Sequence, residues 1–171
     1  MTTILNRINV STITHAGSVH PSVNLKPAPF SQSSLAAAVE AAVNFVHESS
    51  LTPVFQHCSG PAYVPRTLLA LLCFSYARGI YASRDIESAL HNDLHFKQVC
   101  RGVVPAAWVL RHFRRHNRKP LRSCLEAALC FLAQQKVAQG FVSRVNKTHL
   151  QQEAARRITF AAFLDREDAT N

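Results

Sequence analysis

The sequence predicts an all-α fold, a compact multi-helix domain preceded by a flexible N-terminal arm. Beyond residue 33, apolar residues recur at intervals of three and four, and no stretch of strict apolar and polar alternation argues for a sheet. A chain of 171 residues with 47% hydrophobic content can bury one sizeable core, but it is too short for two ordinary domains. We therefore divide the chain into an arm, residues 1–33, and one helical domain, residues 34–171.

The arm and the first helix differ in composition. Residues 1–33 are rich in Ser, Thr, Asn, Pro and Gly and hold few apolar anchors, so they cannot offset the entropy lost on ordering. From Ser34 to about Ser49, apolar residues recur at helical spacing, and Ser34 itself is a good N-cap. The sequence therefore predicts a flexible arm followed by the first helix.

The second helix is the expected centre of the core. Pro65 suits the first turn of a helix, the run after it is apolar nearly all round, and Gly79 ends it. A helix without a polar face belongs inside the protein. Ser83 is a candidate N-cap for the third helix, which has Asp85 and Glu87 in its first turn.

Four more helices are predicted in the second half of the chain. Asn92 or Asp93 is the candidate N-cap of the first of them, and Gly102 ends it. A proline opens each of the next two, and a capping box of Thr148 and Gln151 opens the last. These helices run from Asn92 to Arg101, from Pro105 to His116, from Pro120 to about Gln139, and from Thr148 to about Leu164.

Positive charge is concentrated in this second half. The formal net charge is +9, from 19 Lys and Arg against 10 Asp and Glu. Thirteen of the basic residues lie between Lys97 and Arg157, where only Glu126 and Glu153 are acidic, whereas residues 1–93 carry five of each sign. A local excess of this kind indicates that the partner is a polyanion or an acidic surface.

The segment from Val104 to Arg122 contains six Lys or Arg, two His and no acid. As a helix it has two opposite faces. The apolar face consists of Ala106, Val109, Leu110 and Phe113. The other face consists of Trp108, Arg111, His112 and Arg115. A short helix and a turn at Gly102 precede it, which is the layout of a helix-turn-helix, and we predict such a unit at about residues 83–118.

Helix-turn-helix geometry assigns a role to each of these cations. The second helix enters the major groove of DNA, where an arginine fork pairs with guanine O6 and N7. The predicted base-facing residues are Arg111, His112 and Arg115. Cations at helix ends and flanks contact phosphates and fix orientation without reading sequence. The predicted phosphate contacts are Arg101, Arg114, Arg118, Lys119 and Arg122.

Each feature also has a simpler interpretation. A basic stripe on a helix is often only a solvated face, although here no acid interleaves to form the usual i,i+4 pairs. We interpret Trp108 as packing against the apolar face rather than as a platform for base stacking. His112 and His116 have the spacing to share a metal ion, but the adjacent arginines repel a cation. We therefore predict no metal and no cofactor.

The cysteines and the apolar runs indicate the cellular compartment of the protein. The five cysteines form no C-x-x-C pair and most lie in apolar helical runs, which is typical of free buried thiols. The N-terminus lacks the pattern of a signal peptide, and the longest apolar run, Leu68–Phe74, is far shorter than the roughly 18 residues of a membrane span. We expect a cytoplasmic protein without a membrane partner.

Several motifs follow one another between residues 63 and 122. They are Pro65-Arg66-Thr67-Leu68-Leu69, then Tyr76 and Gly79 ahead of Ser83-Arg84, an acidic helix, Phe96, the turn Gly102-Val103-Val104-Pro105, and Phe113-Arg114-Arg115-His116. This order resembles the N-terminal domain of bacterial insertion-sequence transposases of the acidic-triad (DDE) type. That family usually has an acid and polar residues after the turn proline, where this chain has Ala106-Ala107-Trp108-Val109.

The resemblance implies DNA binding by the helical domain and catalysis by a separate RNase H-like domain, whose acidic triad holds metal ions. Residues 1–171 contain no segment that we interpret as that domain. Asp165 follows an apolar run, as a first triad acid does, but we expect it on the last helix and not in a working site, with a solvated tail after it. We therefore expect a protein without enzyme activity.

Three functions remain in order of preference. The first is a DNA-binding module that binds double-stranded DNA such as transposon ends, as a remnant, as a repressor, or as one part of a split transposase with a separate catalytic chain. The second is a protein-interaction module, because Ser34–Glu48 and Thr148–Leu164 carry broad apolar faces through which helical domains form homodimers. The third is an enzyme, for which the sequence offers no assembled site.

Overall fold

Seven α-helices and one short 3₁₀ turn, Glu48–Ser50, make up the described part of the chain. The computed structural model describes residues 32–54 and 63–170, and within these ranges it contains no strand, which confirms the all-α prediction. The arm predicted for residues 1–33 lies outside the described residues except for its last two, with which the first helix begins. The helices are α1 (Gln32–Asn44), α2 (Pro65–Ala77), α3 (Ser83–Asn92), α4 (Leu94–Val99), α5 (Ala107–His116), α6 (Arg118–Ala138) and α7 (Lys147–Thr170).

Helix α2 lies at the centre of the core, as its all-round apolar sequence predicts. From Leu68 to Ala77 every residue except Ala70 is buried. Helix α2 packs against α1 and α6, and α6 packs in turn against α1 and α7. Helices α3, α4 and α5 complete the domain, because α4 and α5 contact both α2 and α3.

One stripe of α7 faces the core and ends on a charged residue. Its buried positions are Ala154, Ile158, Ala161 and Asp165, which are spaced by four, three and four residues and so lie on one side of the helix. The first three pack into the apolar core. The helix continues to Thr170, so the sequence prediction of an end at about Leu164 followed by a solvated tail is wrong.

The predicted N-cap residue is wrong in three helices, and α5 and α6 begin at Ala107 and Arg118 rather than at the predicted prolines, Pro105 and Pro120. Helix α1 begins at Gln32, so Ser34 lies inside its first turn. Helix α3 begins at Ser83 itself, with Ala82 as its N-cap residue. Helix α7 begins ahead of the predicted capping box, and the amide of His149 donates to Oδ1 of Asn146 at 3.1 Å. An Asn side chain that accepts from the third helical residue is an ordinary N-cap, and it replaces the one assigned to Thr148.

The start of α4 agrees with the sequence. Asp93 caps it by accepting from the amide of His95 at 2.8 Å, and its other oxygen accepts from Nη1 of Arg78 at 2.7 Å. Burial acts to raise the pKa of Asp93, but these two hydrogen bonds outweigh burial and lower it. After α4 the chain turns through Arg101 and Gly102, which have φ values of 53° and 79°. Gly102 suits this left-handed conformation, whereas a side chain such as that of Arg101 rarely adopts it.

The described helices also bear on membrane association. Within residues 32–54 and 63–170, no helix combines the length and the apolar character that crossing a membrane requires.

Candidate nucleic-acid interface

Helix α5 is anchored by its apolar face. Val109, Leu110 and Phe113 are completely buried, and the helix packs chiefly against α3, with further contacts to α2 and α6. Its first amide, that of Ala107, donates to Oε2 of Glu87 on α3 at 3.0 Å. A carboxylate at this end satisfies a free helical amide and complements the positive end of the helix dipole. The apolar residues of α5 and its contacts with α3 together determine which side of α5 faces outward.

The outward side carries the predicted basic face. Trp108, His112, Arg115 and His116 are exposed and Arg111 is half-buried. Among the described residues no carboxylate pairs with Arg111 or Arg115. The face is therefore positive, accessible and without internal neutralisation.

Trp108 lies at the surface of α5, next to the basic face. Its side chain keeps 48% of its surface exposed, which is unusual for the largest apolar side chain in a domain with a well-formed core. A large, partly exposed aromatic ring among cations is a common feature of binding surfaces. Trp108 is therefore half-exposed beside the basic face, and its role in packing stays a prediction.

His112 and His116 lie one helical turn apart on this face. Their ring centroids are 4.3 Å apart, and Nδ1 of His116 is 2.9 Å from the backbone oxygen of His112. Partial burial, together with the charges of His116 and Arg115, lowers the pKa of His112. Across the described ranges no group of three His, Cys, Asp or Glu side chains is arranged to hold a metal ion.

Arg114 requires a correction, because the structure contradicts its predicted place at the surface. Only 5% of the residue is exposed. Its Nη2 donates to Oδ2 of Asp165 at 2.5 Å, and its Nη1 donates to the hydroxyl of Tyr76 at 3.1 Å. Burial disfavours its charge, but Tyr76 and Asp165 outweigh this effect and raise the pKa of Arg114. The side chain therefore connects helices inside the protein and does not reach an external phosphate.

Asp165 completes the same buried group. Its Oδ1 accepts from the amide of Ser83 at 2.8 Å, and its Oδ2 accepts from the Ser83 hydroxyl at 2.6 Å. The cap of α3 thus comes from α7, 82 residues away in the sequence. Burial is the main reason why the pKa of the neighbouring Tyr76 rises to about 12, so Tyr76 stays a neutral hydrogen-bonding group. A buried pair of this kind requires both partners, since either one alone is an uncompensated charge.

A sequence signal for Asp165 existed but is easily missed. The residue continues the stripe formed by Ala154, Ile158 and Ala161, so it occupies a core-facing position. A carboxylate at such a position needs a buried cation. The sequence does not show which arginine fills that role.

The remaining predicted phosphate contacts are all exposed. Arg101 lies 3.5 Å from Glu40 and Arg122 lies 3.0 Å from Glu126, so each has a carboxylate partner at the surface. For Arg118 and Lys119 at the start of α6, the described residues provide no such partner. Arg118 and Lys119, the predicted phosphate contacts without a carboxylate partner among the described residues, therefore lie directly after α5 in the chain.

The helical unit predicted at about residues 83–118 consists of α3, α4 and α5. The prediction pairs the short helix with the basic helix across the turn at Gly102, but α5 packs chiefly on α3. The turn itself is present, with residues 100–106 between α4 and α5. The description of this unit as a helix-turn-helix stays a prediction.

Comparison with known proteins bears on the family. A family model described as a transposase domain (DUF772) matches residues 28–116, which span α1 to α5 and just over half of the chain. No curated protein and no solved structure gave a significant match. The match agrees with the resemblance seen in the order of the sequence motifs, and the chain belongs to the transposase-domain family.

Proposed function

We propose that this chain is a DNA-binding module of a transposase, and that it contacts double-stranded DNA through α5. The observation that carries the proposal is the outward face of α5, where Arg111 and Arg115 lie beside a half-exposed Trp108 with no carboxylate to neutralise them. A structural surface helix normally interleaves acids with its bases. A transposase must also recognise the ends of its element, so a DNA-facing surface fits the family.

The residues divide into two roles. Arg111, His112 and Arg115 face the bases, because they lie on the exposed side of a helix whose other side is fully buried. Phosphate contacts come from cations near its end, of which Arg118 and Lys119 are the strongest candidates. Arg101 and Arg122 are weaker candidates, since each has to leave a surface carboxylate to reach DNA. Arg114 has no direct role in this proposal.

The proposal assigns no catalytic step to this chain. Strand transfer would come from a separate catalytic transposase chain or domain, and a chain that binds ends without catalysis would act as a competitor of the full enzyme. We propose that the protein acts on DNA in the cytoplasm.

A salt titration with duplex DNA tests the proposal. Each phosphate contact that is lost should reduce the slope of log K against log salt by about 0.9. The double variant Arg118→Ala/Lys119→Ala should therefore reduce it by about 1.8. The matched control is Arg84→Ala/Lys136→Ala, which removes two exposed charges elsewhere and should leave the slope unchanged. A parent protein that shows no salt-dependent binding would refute the proposal.

A second candidate, a protein-interaction module, has support from exposed aromatic residues. The apolar faces expected on the first and last helices are largely used inside, since Leu35, Val39 and Val43 of α1 are buried. Among the described residues at these two helices, the large apolar side chains that remain outside are Phe45 after α1 and Phe160 and Phe163 on α7, which are 88%, 46% and 51% exposed. Sedimentation of the full chain distinguishes the candidates, because a homodimer held by these residues would persist at high salt whereas DNA binding would not.

A further inference from the structure

A cavity of about 310 Å³ lies between α5, the start of α6 and the C-terminal part of α7. All the cations on its wall are arginines. They are Arg111, Arg114, Arg115, Arg118 and Arg166, and the wall also includes Asp165. We call this the arginine cavity. Its volume is at the lower end of the range of about 300–1,000 Å³ that is typical of small-ligand sites, so it suits a small group.

The charge in the arginine cavity is unbalanced. Arg114 pairs with the one carboxylate on the wall, that of Asp165, and both oxygens of this carboxylate already accept hydrogen bonds from Ser83 and Arg114. Among the residues that the structure describes, no acid pairs with Arg111, Arg115 or Arg118. The positive charges that line one cavity repel one another, and an anion bound between them offsets this repulsion. The cavity therefore has the electrostatics of an anion site.

The inner wall is fixed while the outer donors remain accessible. Arg114 and Asp165 are buried and bond to each other, which holds α7 against α5. Arg115, Arg118 and Arg166 are exposed at the rim. Guanidinium groups present paired donors whose geometry matches the oxygens of phosphate, and this favours phosphate over halide.

We propose that the arginine cavity binds one backbone phosphate of the DNA, so that Arg166 and the end of α7 form part of the interface. This inference rests on the proposed function and extends it, because the basic face of α5 alone does not include α7. Arg166 contacts the phosphate from the side opposite Arg111. Arg114 is a positioning residue, since its terminal nitrogens are already occupied by Tyr76 and Asp165.

The first arm of the test uses inorganic phosphate and the full chain. The melting temperature is measured in phosphate and in chloride at equal ionic strength. The parent and the control Arg84→Ala should both melt higher in phosphate. Arg166→Ala should weaken phosphate binding about tenfold, as expected for the loss of a charge-assisted hydrogen bond, and Arg166→Lys should recover part of it. The proposed phosphate site would be refuted if the melting temperature of the parent were not higher in phosphate than in chloride. It would also be refuted if Arg166→Ala kept the full increase.

The second arm uses a short duplex of mixed sequence and separates the inference from the proposed function. Arg166→Ala should lower the salt slope by about 0.9, and Arg84→Ala should not change it. If Arg118→Ala/Lys119→Ala lowers the slope and Arg166→Ala does not, the proposed function stands and this inference fails. If the parent binds no duplex, the proposed function fails, and so does the inference that the arginine cavity binds a DNA phosphate. Phosphate binding that depends on Arg166 would then show that the cavity takes free phosphate instead.

Discussion

Two helices of this protein carry neighbouring arginines, and the two pairs have different environments. On α7, Arg156 and Arg157 both bond to Glu153, at 2.8 Å and 2.7 Å. On α5, Arg114 is buried against Asp165 while Arg115 is exposed and has no carboxylate partner in the described chain. The pair on α7 shares one carboxylate within one helical turn. The pair on α5 is divided between the core and the surface.

The difference shows what decides the role of a cation. Glu153 is three and four residues from its arginines, so its ion pairs are apparent from sequence spacing alone. Asp165 is 51 residues from Arg114, and only the packing of α7 against α5 brings them together. An arginine without a local acid is therefore either a buried structural group or an exposed binding group, and burial distinguishes the two.

The largest expected effect is on stability and separates the two arginines of α5. Arg114→Ala leaves Asp165 buried without its cation and should lower the free energy of unfolding by about 3–5 kcal/mol. Arg115→Ala removes an exposed side chain and should change it by less than about 0.5 kcal/mol. Urea denaturation of both variants measures the difference. If Arg114→Ala does not fold, Arg114→Lys, which keeps a positive charge beside Asp165, provides a milder version of the same test. Equal effects of the two alanine variants would show that the division between core and surface is wrong.

The next-largest effect is on recognition of DNA sequence. It is tested by comparing arginines of α5 with an arginine of α7. Arg111→Ala and Arg115→Ala should each reduce discrimination between the preferred duplex and others by about 1–3 kcal/mol, because an arginine fork on guanine is lost. Arg156→Ala, which removes an exposed arginine that is already paired with Glu153, should leave discrimination unchanged. Selection of bound sequences from a random duplex library, followed by affinity measurements, gives these values. A preference that survives in both α5 variants would assign sequence reading to other residues.

The sequence predicts the helices better than it predicts their ends and their partners. Apolar periodicity identifies all seven helices, and proline and glycine mark the limits of α2 closely. Local sequence assigns the caps of α3 and α7 to Ser and Thr residues, whereas α3 takes its acceptor from Asp165 and α7 takes its acceptor from Asn146. The two faces of α5 follow from helical geometry, but the inward turn of Arg114 does not, because the α5 sequence carries no trace of the distant carboxylate. Arg166 was missed for the same reason, since only the fold brings it to the arginine cavity.

A smaller effect concerns the arginine pair on α7, its shared carboxylate Glu153 and the dependence of this pairing on pH. Hydrogen bonds from Arg156 and then Arg157 lower the pKa of Glu153 to about 2. The stability that this pairing contributes is therefore fully present above the unfolded-state pKa of about 4.3 and is lost as the pH falls toward 2. Because Arg156 is exposed to solvent, we expect about 1 kcal/mol and not the full value implied by the shift. Urea denaturation across this range should show the loss in the parent and not in Glu153→Gln. If the free energy of unfolding depended on pH in the same way in the parent and in Glu153→Gln, this prediction would be contradicted.

The smallest effect concerns His112, the titrating residue on the predicted base-facing side of α5. In the free protein, partial burial and the charges of His116 and Arg115 lower its pKa, so the neutral ring dominates near pH 7. Bound DNA would bring phosphates close to the ring and favour the protonated form, so duplex affinity should increase by roughly two- to threefold as the pH falls below neutral. His112→Gln should lose this increase. His149→Gln, which alters an exposed histidine at the start of α7, should retain it. Duplex affinities measured at constant ionic strength test the difference, and a pH dependence that is identical in both variants would remove His112 from the interface while leaving the arginines of α5 in place.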